Sequence, residues 1–594
     1  MRITLAGLEA TVDGTLVASR APDPGPVALG PVEVELDVRT GDGGTVMRWS
    51  VANRADTDVT VRSVAAVYAV DAAEPVRMLR HGYQSWSPTG VATLGHDADP
   101  STRADLPFLQ AVHHADQRTV VAPGELRSEW LTVLADLHGG IVVGGFDGAG
   151  SHDGTWRLRP SGDGRPIELR AEAFLGDVRL RTGERRPLHD VTVEGGPGAA
   201  AEDVTRLLAR WAHRVTRACP ARTGAPYQVG WCSWYQYFHD VTERDLRANL
   251  ALAGHWPFDV FLLDDGYQAA IGDWLDTNER FPSGLPGLAE DIRASGQLAG
   301  IWLAPFLAAP DSRVATRHPD WLAARAAERP GRLFAWWNPP WGGGRDGFMC
   351  ALDTTRPEVL AHLEELGRAL RDMGWTWLKL DFTFAPSVEG HWSDADRTPA
   401  ERVRAGFEAI RRGAGDDVFI VGCGVPLSHV VGVVDAVRVG QDVAPLWALR
   451  PEDEIVPGYL GIQPATRHAY GNTVARSFMH RRLWLNDPDC LMLRSTGTAL
   501  SPSAARTWAQ TVGLSGGAAL VSDDLSLLGD DARRLLDEVV ALGRASDDLA
   551  RAGRPAEAID LLERTPPTTF VAGPHRLIVD PETGAGRLPH RGQP

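Results

Sequence analysis

Two aspartates in this chain directly follow short apolar runs: Asp381 in WLKLDF and Asp442 in AVRVGQD. Such a run reads as a buried strand, and the carboxylate then stands where the strand gives way to a loop. Lys379 lies two residues before Asp381, so both side chains leave the strand on the same side and enter one space. An ammonium there favours the ionised carboxylate that a nucleophile needs. Arg438 lies four residues before Asp442, again on one parity, and Val443, Ala444, Pro445, Leu446 and Trp447 follow. Apolar surroundings raise a carboxyl pKa, which suits a general acid. Each pair, taken alone, also fits a structural ion pair at a strand end, and the local residues leave both readings open. Two carboxylates on different strands match the plan of glycoside hydrolysis, where a retaining enzyme holds them about 5–5.5 Å apart.

Other residues could serve the same cavity. Asp264 and Asp265 form a doublet after VFLL. Paired carboxylates accept hydrogen bonds from two sugar hydroxyls; a divalent metal is the rival, but no His–x–His or His–x–x–Glu companion accompanies the doublet. Trp234, Trp302 and Trp336 stand on or just after strand ends, where an indole can wall a sugar pocket or simply pack the rim. Cys423, ending VFIVGCG, reads as a small polar wall, since no local histidine would activate it as a nucleophile.

The elements that must position these groups are legible as a pattern. QVGWCSW, VFLLDDGY, LAGIWLAPF, WLKLDF, VFIVGCG, AVRVGQD, LWLND and AALVSDD are eight short apolar strands separated by helical stretches. Six of them end in polar or small residues. Eight β–α units over 227–525 predict a parallel (β/α)8 barrel, whose strand C-termini carry the active-site loops. One helix is clear in detail: Pro357 near its start, a stripe of Val359, Leu363, Leu366, Leu370 and Met373, and Gly374 as its stop. Residues 1–200 instead read as β-structure, with GPVEVELDVR, TVMRWSVANR, DVTVRSVAAVYAV, GGIVVGGF and TWRLRP as strands, and predict a β-sandwich. AEDVTRLLARWAHRV heads a helical linker over 201–226. A β-rich domain is expected over 526–594, after a helix around DDARRLLDEVVALGRA, and the tail GAGRLPHRGQP is expected to lack fixed structure.

Composition narrows the function. A chain of 594 residues is too long for one core. Its formal net charge of -17 argues against nucleic acid as a partner, because phosphate binding needs a basic face. The five cysteines, Cys219, Cys232, Cys350, Cys423 and Cys490, are scattered and form no CxxC pair, as expected of reduced thiols in the cytoplasm. No run has the length of a signal peptide core or a membrane span, so no membrane partner is expected. Twenty tryptophans, against 16 Phe and 8 Tyr, fit a carbohydrate ligand, whose C–H faces stack on indole.

The motifs, taken together, resemble a known family. GWCSWYQYFHDVTE, FLLDDGYQAAIGDW, RFPSGLPGLA, GIWLAPF, ALDTTRPEVL, WLKLDF, GCGVPL and RVGQDVAPLW run in the order seen in melibiase-type α-galactosidases, the group that includes raffinose and stachyose synthases. HGYQSWSP at 81–88 is similar to that family's N-terminal motif. The resemblance implies a β-supersandwich, a (β/α)8 TIM barrel and a small C-terminal antiparallel β-domain. It implies that Asp381 is the nucleophile and Asp442 the acid/base of a retaining, exo-acting α-galactosidase. Asp264 and Asp265 would grip two galactose hydroxyls, with Lys379 and Arg438 as further ligands. Trp302 would wall the pocket, Trp234 and Tyr235 would lie in a rim motif, and Trp86 would be lent by the N-terminal domain. No metal or cofactor is implied; the partner is a small glycoside or oligosaccharide, and a homo-oligomer is left open. Thr383 and the Cys423-Gly424-Val425 stretch depart from longer members, which have Asn at the first position and Cys-x-Gly at the second. The departures place the chain nearer the family's short form and leave the sugar open. A galactosyl transferase, a hydrolase of another α-glycoside such as an N-acetylgalactosaminide, and a non-catalytic sugar-binding barrel are the rivals.

Overall fold

The computed structural model describes all residues except 21–24, 42–43, 98–122, 161, 163–165, 197–200, 325–333, 336–347, 451–462 and 590–594. The N-terminal part forms two antiparallel sheets of six and nine strands. They stack face to face: the Tyr68 hydroxyl meets Met47 Sδ at 4.0 Å across the gap. A Cβ on Gly144 of one sheet would come within 2.8 Å of the Trp156 ring of the other. Strands alternate buried and exposed positions where one face is solvated, as in Val32–Gly41. The sandwich is joined to the rest by helix α1 (Ala201–Ala218), with Val204, Leu207, Leu208 and Trp211 buried. Trp211 donates its indole N–H to Phe146 O at 3.1 Å.

All eight expected barrel strands are present: β1 (Val229–Cys232), β2 (Val260–Leu263), β3 (Leu298–Leu303), β4 (Trp375–Leu380), β5 (Phe419–Gly422), β6 (Ala436–Arg438), β7 (Leu485–Asp487) and β8 (Ala519–Val521). Neighbours from β1 to β7 pair in parallel in chain order, and β1 also pairs with β8. The β7–β8 seam closes through the segment after β7, where Leu491 bridges Val521. Around the sheet lie α2 (Glu243–Ala253), α3 (Gly284–Ala294), α4 (Pro357–Met373), α5 (Pro399–Ala414), α6 (Thr466–Ala475), α7 (Pro502–Ser515) and α8 (Asp530–Arg551). Helix α4 has the expected Pro start, and Gly374 stops it in the left-handed region at φ 100°. Val359, Leu363, Leu366 and Leu370 of its stripe are buried.

Two expectations need correction. The β5–β6 connection is not a β–α unit: it holds only a 3₁₀ turn at Leu427–His429. The flank at that turn is met by the sandwich, by the segment after α1 and by the edge of α5. His429 Nε2 meets Asp153 Oδ1 at 2.5 Å, and Cys219 Sγ donates to Val431 O at 3.1 Å. The tail is also ordered as far as 589. Gly586–Arg587 pairs with His575–Val579 in a small antiparallel sheet that includes Glu557–Ala558 and Thr569–Ala572. Helix α8 packs on α7, as do strands of the small C-terminal sheet. No described helix is long and apolar enough to cross a membrane.

Candidate active site

The site is built at the C-terminal ends of the barrel strands. Asp381 follows β4, and its amide donates to Leu303 O at 2.7 Å, fixing it beside the end of β3. Trp302, the register partner of Lys379 on β3, aims its indole N–H at Asp381 Oδ2, 3.1 Å away. Asp381 Oδ1 accepts the Phe382 amide at 2.7 Å. Phe382 can present that amide because it adopts φ 51°, a conformation that costs a side-chain-bearing residue energy and often marks functional turns. Burial pushes the Asp381 carboxyl above its ordinary pKa. The Lys379 ammonium, the Trp302 indole, the Cys423 thiol and the Phe382 amide pull it back.

Lys379 shares the cavity with Asp381, but its ion pair is elsewhere: Nζ lies 2.8 Å from Asp264 Oδ2. This corrects the simple same-strand pairing. In an eight-stranded barrel the inward side chains of alternate strands share a layer, so a β4 lysine faces the end of β2. Asp264 Oδ2 also accepts from Cys232 Sγ at 3.4 Å, and its amide is held by Ser233 Oγ at 2.9 Å. Asp265 turns the other way, to Gln268 Nε2 at 2.6 Å and His239 Nδ1 at 3.1 Å. Neutral and cationic donors, rather than a ligand cluster, surround the doublet; no group of three or more metal-binding side chains occurs among the described residues.

On the opposite side, Arg438 of β6 is 1% exposed and sits among three carboxylates. Its contacts are Asp442 Oδ1 at 3.3 Å, Asp487 Oδ2 at 3.1 Å and Asp489 Oδ1 at 2.9 Å. Asp489 also accepts from the Val443 amide at 2.9 Å and from the Tyr235 hydroxyl. The Asp442 carboxyl is pushed up to about 7 by burial first, then by the Asp489 carboxylate, with Arg438 opposing and Asp381 adding to the rise. The Asp381 charge therefore reaches Asp442. The Asp442 side chain is 34% exposed, so it faces the opening, whereas Asp381 lies deeper at 7%.

Cys423 is buried at the end of β5 beside Asp381. Trp86 arrives from the sandwich and lies edge-on to Phe382, with ring centroids 5.0 Å apart. Tyr235 is buried beneath the Asp442 loop rather than open at a rim, while Trp234 packs edge-on against Phe238 and His239. Trp336 lies outside the described residues. Sequence reasoning missed Asp487, Asp489, Cys232 and His239. The WLNDPD stretch signals carboxylates at a strand end, but nothing local ties them to Arg438.

A parallel barrel with two carboxylates of unlike environment at its strand ends, joined to a β-sandwich, is the design of a barrel glycoside hydrolase. The chain is a relative of the melibiase-type α-galactosidases: the Melibiase family model matches residues 220–383. The solved Thermus thermophilus α-galactosidase, bound to p-nitrophenyl α-D-galactopyranoside, is 25% identical with a TM-score of 0.67. That likeness covers 96% of this chain and 99% of that one. The Geobacillus stearothermophilus α-galactosidase AgaA is 26% identical over 157 residues, 25% of this chain. A Flavonifractor plautii enzyme named A type blood α-D-galactosamine galactosaminidase is 29% identical over 219 residues, 34% of this chain. The matched stretch spans 20% of the length of each of these two curated relatives.

Proposed function

We propose that this chain is a retaining, exo-acting α-galactosidase. One observation supports it most: the Asp442 carboxyl, at about 7, faces the same cavity as an Asp381 gripped by Trp302 and Phe382. Two carboxyls whose environments differ in this way suit unlike roles. In the first step Asp381 attacks the anomeric carbon, while protonated Asp442 gives its proton to the departing glycosidic oxygen. In the second, Asp442 takes a proton from water, the water oxygen bonds to the anomeric carbon, and the Asp381 ester bond breaks. Asp264 and Asp265, with Lys379 and Arg438, bind hydroxyls of the terminal sugar. The Thermus relative, captured with an aryl α-galactoside and with stachyose, supports galactose as that sugar.

The test is a panel of aryl glycosides followed by NMR. Hydrolysis of the α-galactoside with α-galactose as the first product is expected; β-galactose would overturn retention. The Flavonifractor likeness favours one alternative, an N-acetylgalactosaminide, and the same panel decides it. Addition of sucrose or galactinol, with product analysis, separates hydrolysis from galactosyl transfer. Cys219, Cys232, Cys423 and Cys490 are reduced thiols, which supports the cytoplasm as the working compartment.

A further inference from the structure

The loop from His81 to Thr89 leaves the sandwich and enters the mouth of the barrel. Ser85 donates its amide to Val425 O at 3.2 Å, and Leu427 donates to Tyr83 O at 3.0 Å. Trp86 in this loop meets Phe382 at 5.0 Å and Phe384 at 5.9 Å. Gly424 makes the room, since a Cβ there would stand 2.9 Å from the Trp86 ring. Trp86 thus backs the left-handed residue whose amide holds Asp381.

A buried cation fixes the loop that carries Trp86. Arg476, just after α6, is 0% exposed. Its Nη1 donates to Ser85 O and Val439 O, each at 2.7 Å. Nη2 donates to Ser87 O at 2.7 Å and Gln84 O at 3.2 Å, and Nε to Thr89 Oγ1 at 3.0 Å. Asn472, one helical turn earlier, donates to Ser87 O at 3.0 Å and accepts the Thr89 amide at 2.8 Å. With Gly82 O at 3.5 Å as a further acceptor, all these partners are neutral, so the guanidinium gives up water for six backbone and hydroxyl oxygens of two loops. Its planar fork can hold several carbonyls in fixed directions, which a lysine cannot. Val439 lies three residues before Asp442, so one side chain grips both the Trp86 loop and the segment leading to the acid/base candidate.

We propose that Arg476 is a positioning residue: it sets Trp86 against the Phe382 turn and so holds Asp381 in its attacking pose. The proposal rests on the reading of Asp381 as nucleophile given above. Arg476→Lys is expected to lower kcat on an aryl α-galactoside about tenfold while KM changes less than about twofold. In a Trp86→Ala background the same substitution should cost clearly less than that tenfold, because only the Val439 contact is left for it to disturb. Amide hydrogen exchange in residues 82–89 should rise in Arg476→Lys. Equal losses in both backgrounds, or unchanged exchange, overturn the proposal. If Arg476→Lys does not fold, Gly82→Ala carries the same expectations. Its Cβ would stand 2.8 Å from Arg476 Nη2 and 2.5 Å from Ser87 O, prising the clamp from the loop side. Wild-type protein that turns over no α-galactoside sinks the functional reading, while exchange still decides the clamp.

Discussion

Trp302 Nε1 stands 3.1 Å from Asp381 Oδ2, so a rigid indole on β3 orients the carboxylate on β4. Trp302→Phe keeps the ring and removes the donor. A hydrogen bond to a charged group is worth about 1.5–3 kcal/mol, so kcat/KM should fall roughly 10- to 100-fold. The donor favours the ionised form. Its loss raises the Asp381 pKa, and the acidic limb of the kcat/KM profile should move to higher pH.

The roles of the two carboxylates are separable by azide rescue. Asp381→Gly should lose at least about 10³-fold in turnover of an aryl α-galactoside. With azide, a single displacement should give the β-galactosyl azide, seen by NMR. Asp442→Gly should instead give the α-azide, since the enzyme ester still forms and azide needs no deprotonation. The reverse pattern would exchange the two assignments.

Asp489 helps to hold Asp442 at about 7. The first step needs Asp442 protonated, so kcat/KM should decline as pH rises through that value. Asp489→Asn removes a negative neighbour and frees part of the Arg438 charge. Both changes lower the Asp442 pKa, and the basic limb should move to lower pH. A limb that stays put, or moves up, contradicts the electrostatic origin of the shift.

Gly584 lies at φ 72° directly under the Trp447 indole, where a Cβ would come within 2.4 Å of Cδ2. Trp447 is also tied to Pro581 O at 2.9 Å and ends the apolar stretch after Asp442. Gly584→Ala should displace that stretch and lower kcat by about tenfold, with the sandwich and barrel still folded by circular dichroism.

The barrel was legible because each strand is a short apolar run that stops at a polar or small residue, and that pattern is local. Asp381 and Asp442 were visible for the same reason. The Lys379–Asp264 pair was not, because strand parity fixes the side on which Lys379 emerges but not which neighbouring strand it faces. Asp489 was hidden more thoroughly: its partners lie far off in the chain, Arg438 and Val443 on β6 and the loop after it and Tyr235 just after β1. The tail misled because GAGRLPHRGQP carries little apolar weight of its own, and the order of its described part, up to Pro589, comes from pairing with His575–Val579 and from Trp447.

The flank beside β5 and β6 limits how this chain can be divided. Val425, Val430, Val431, Val433 and Val434 are covered there without an outer helix of their own. Excised from everything before Cys219, the barrel would lose the Ser85 contact to Val425, open part of that valine strip to water and leave His429 without its carboxylate. An isolated barrel is therefore a poor building block for transplantation: it would clump unless a new helix were grafted onto that side.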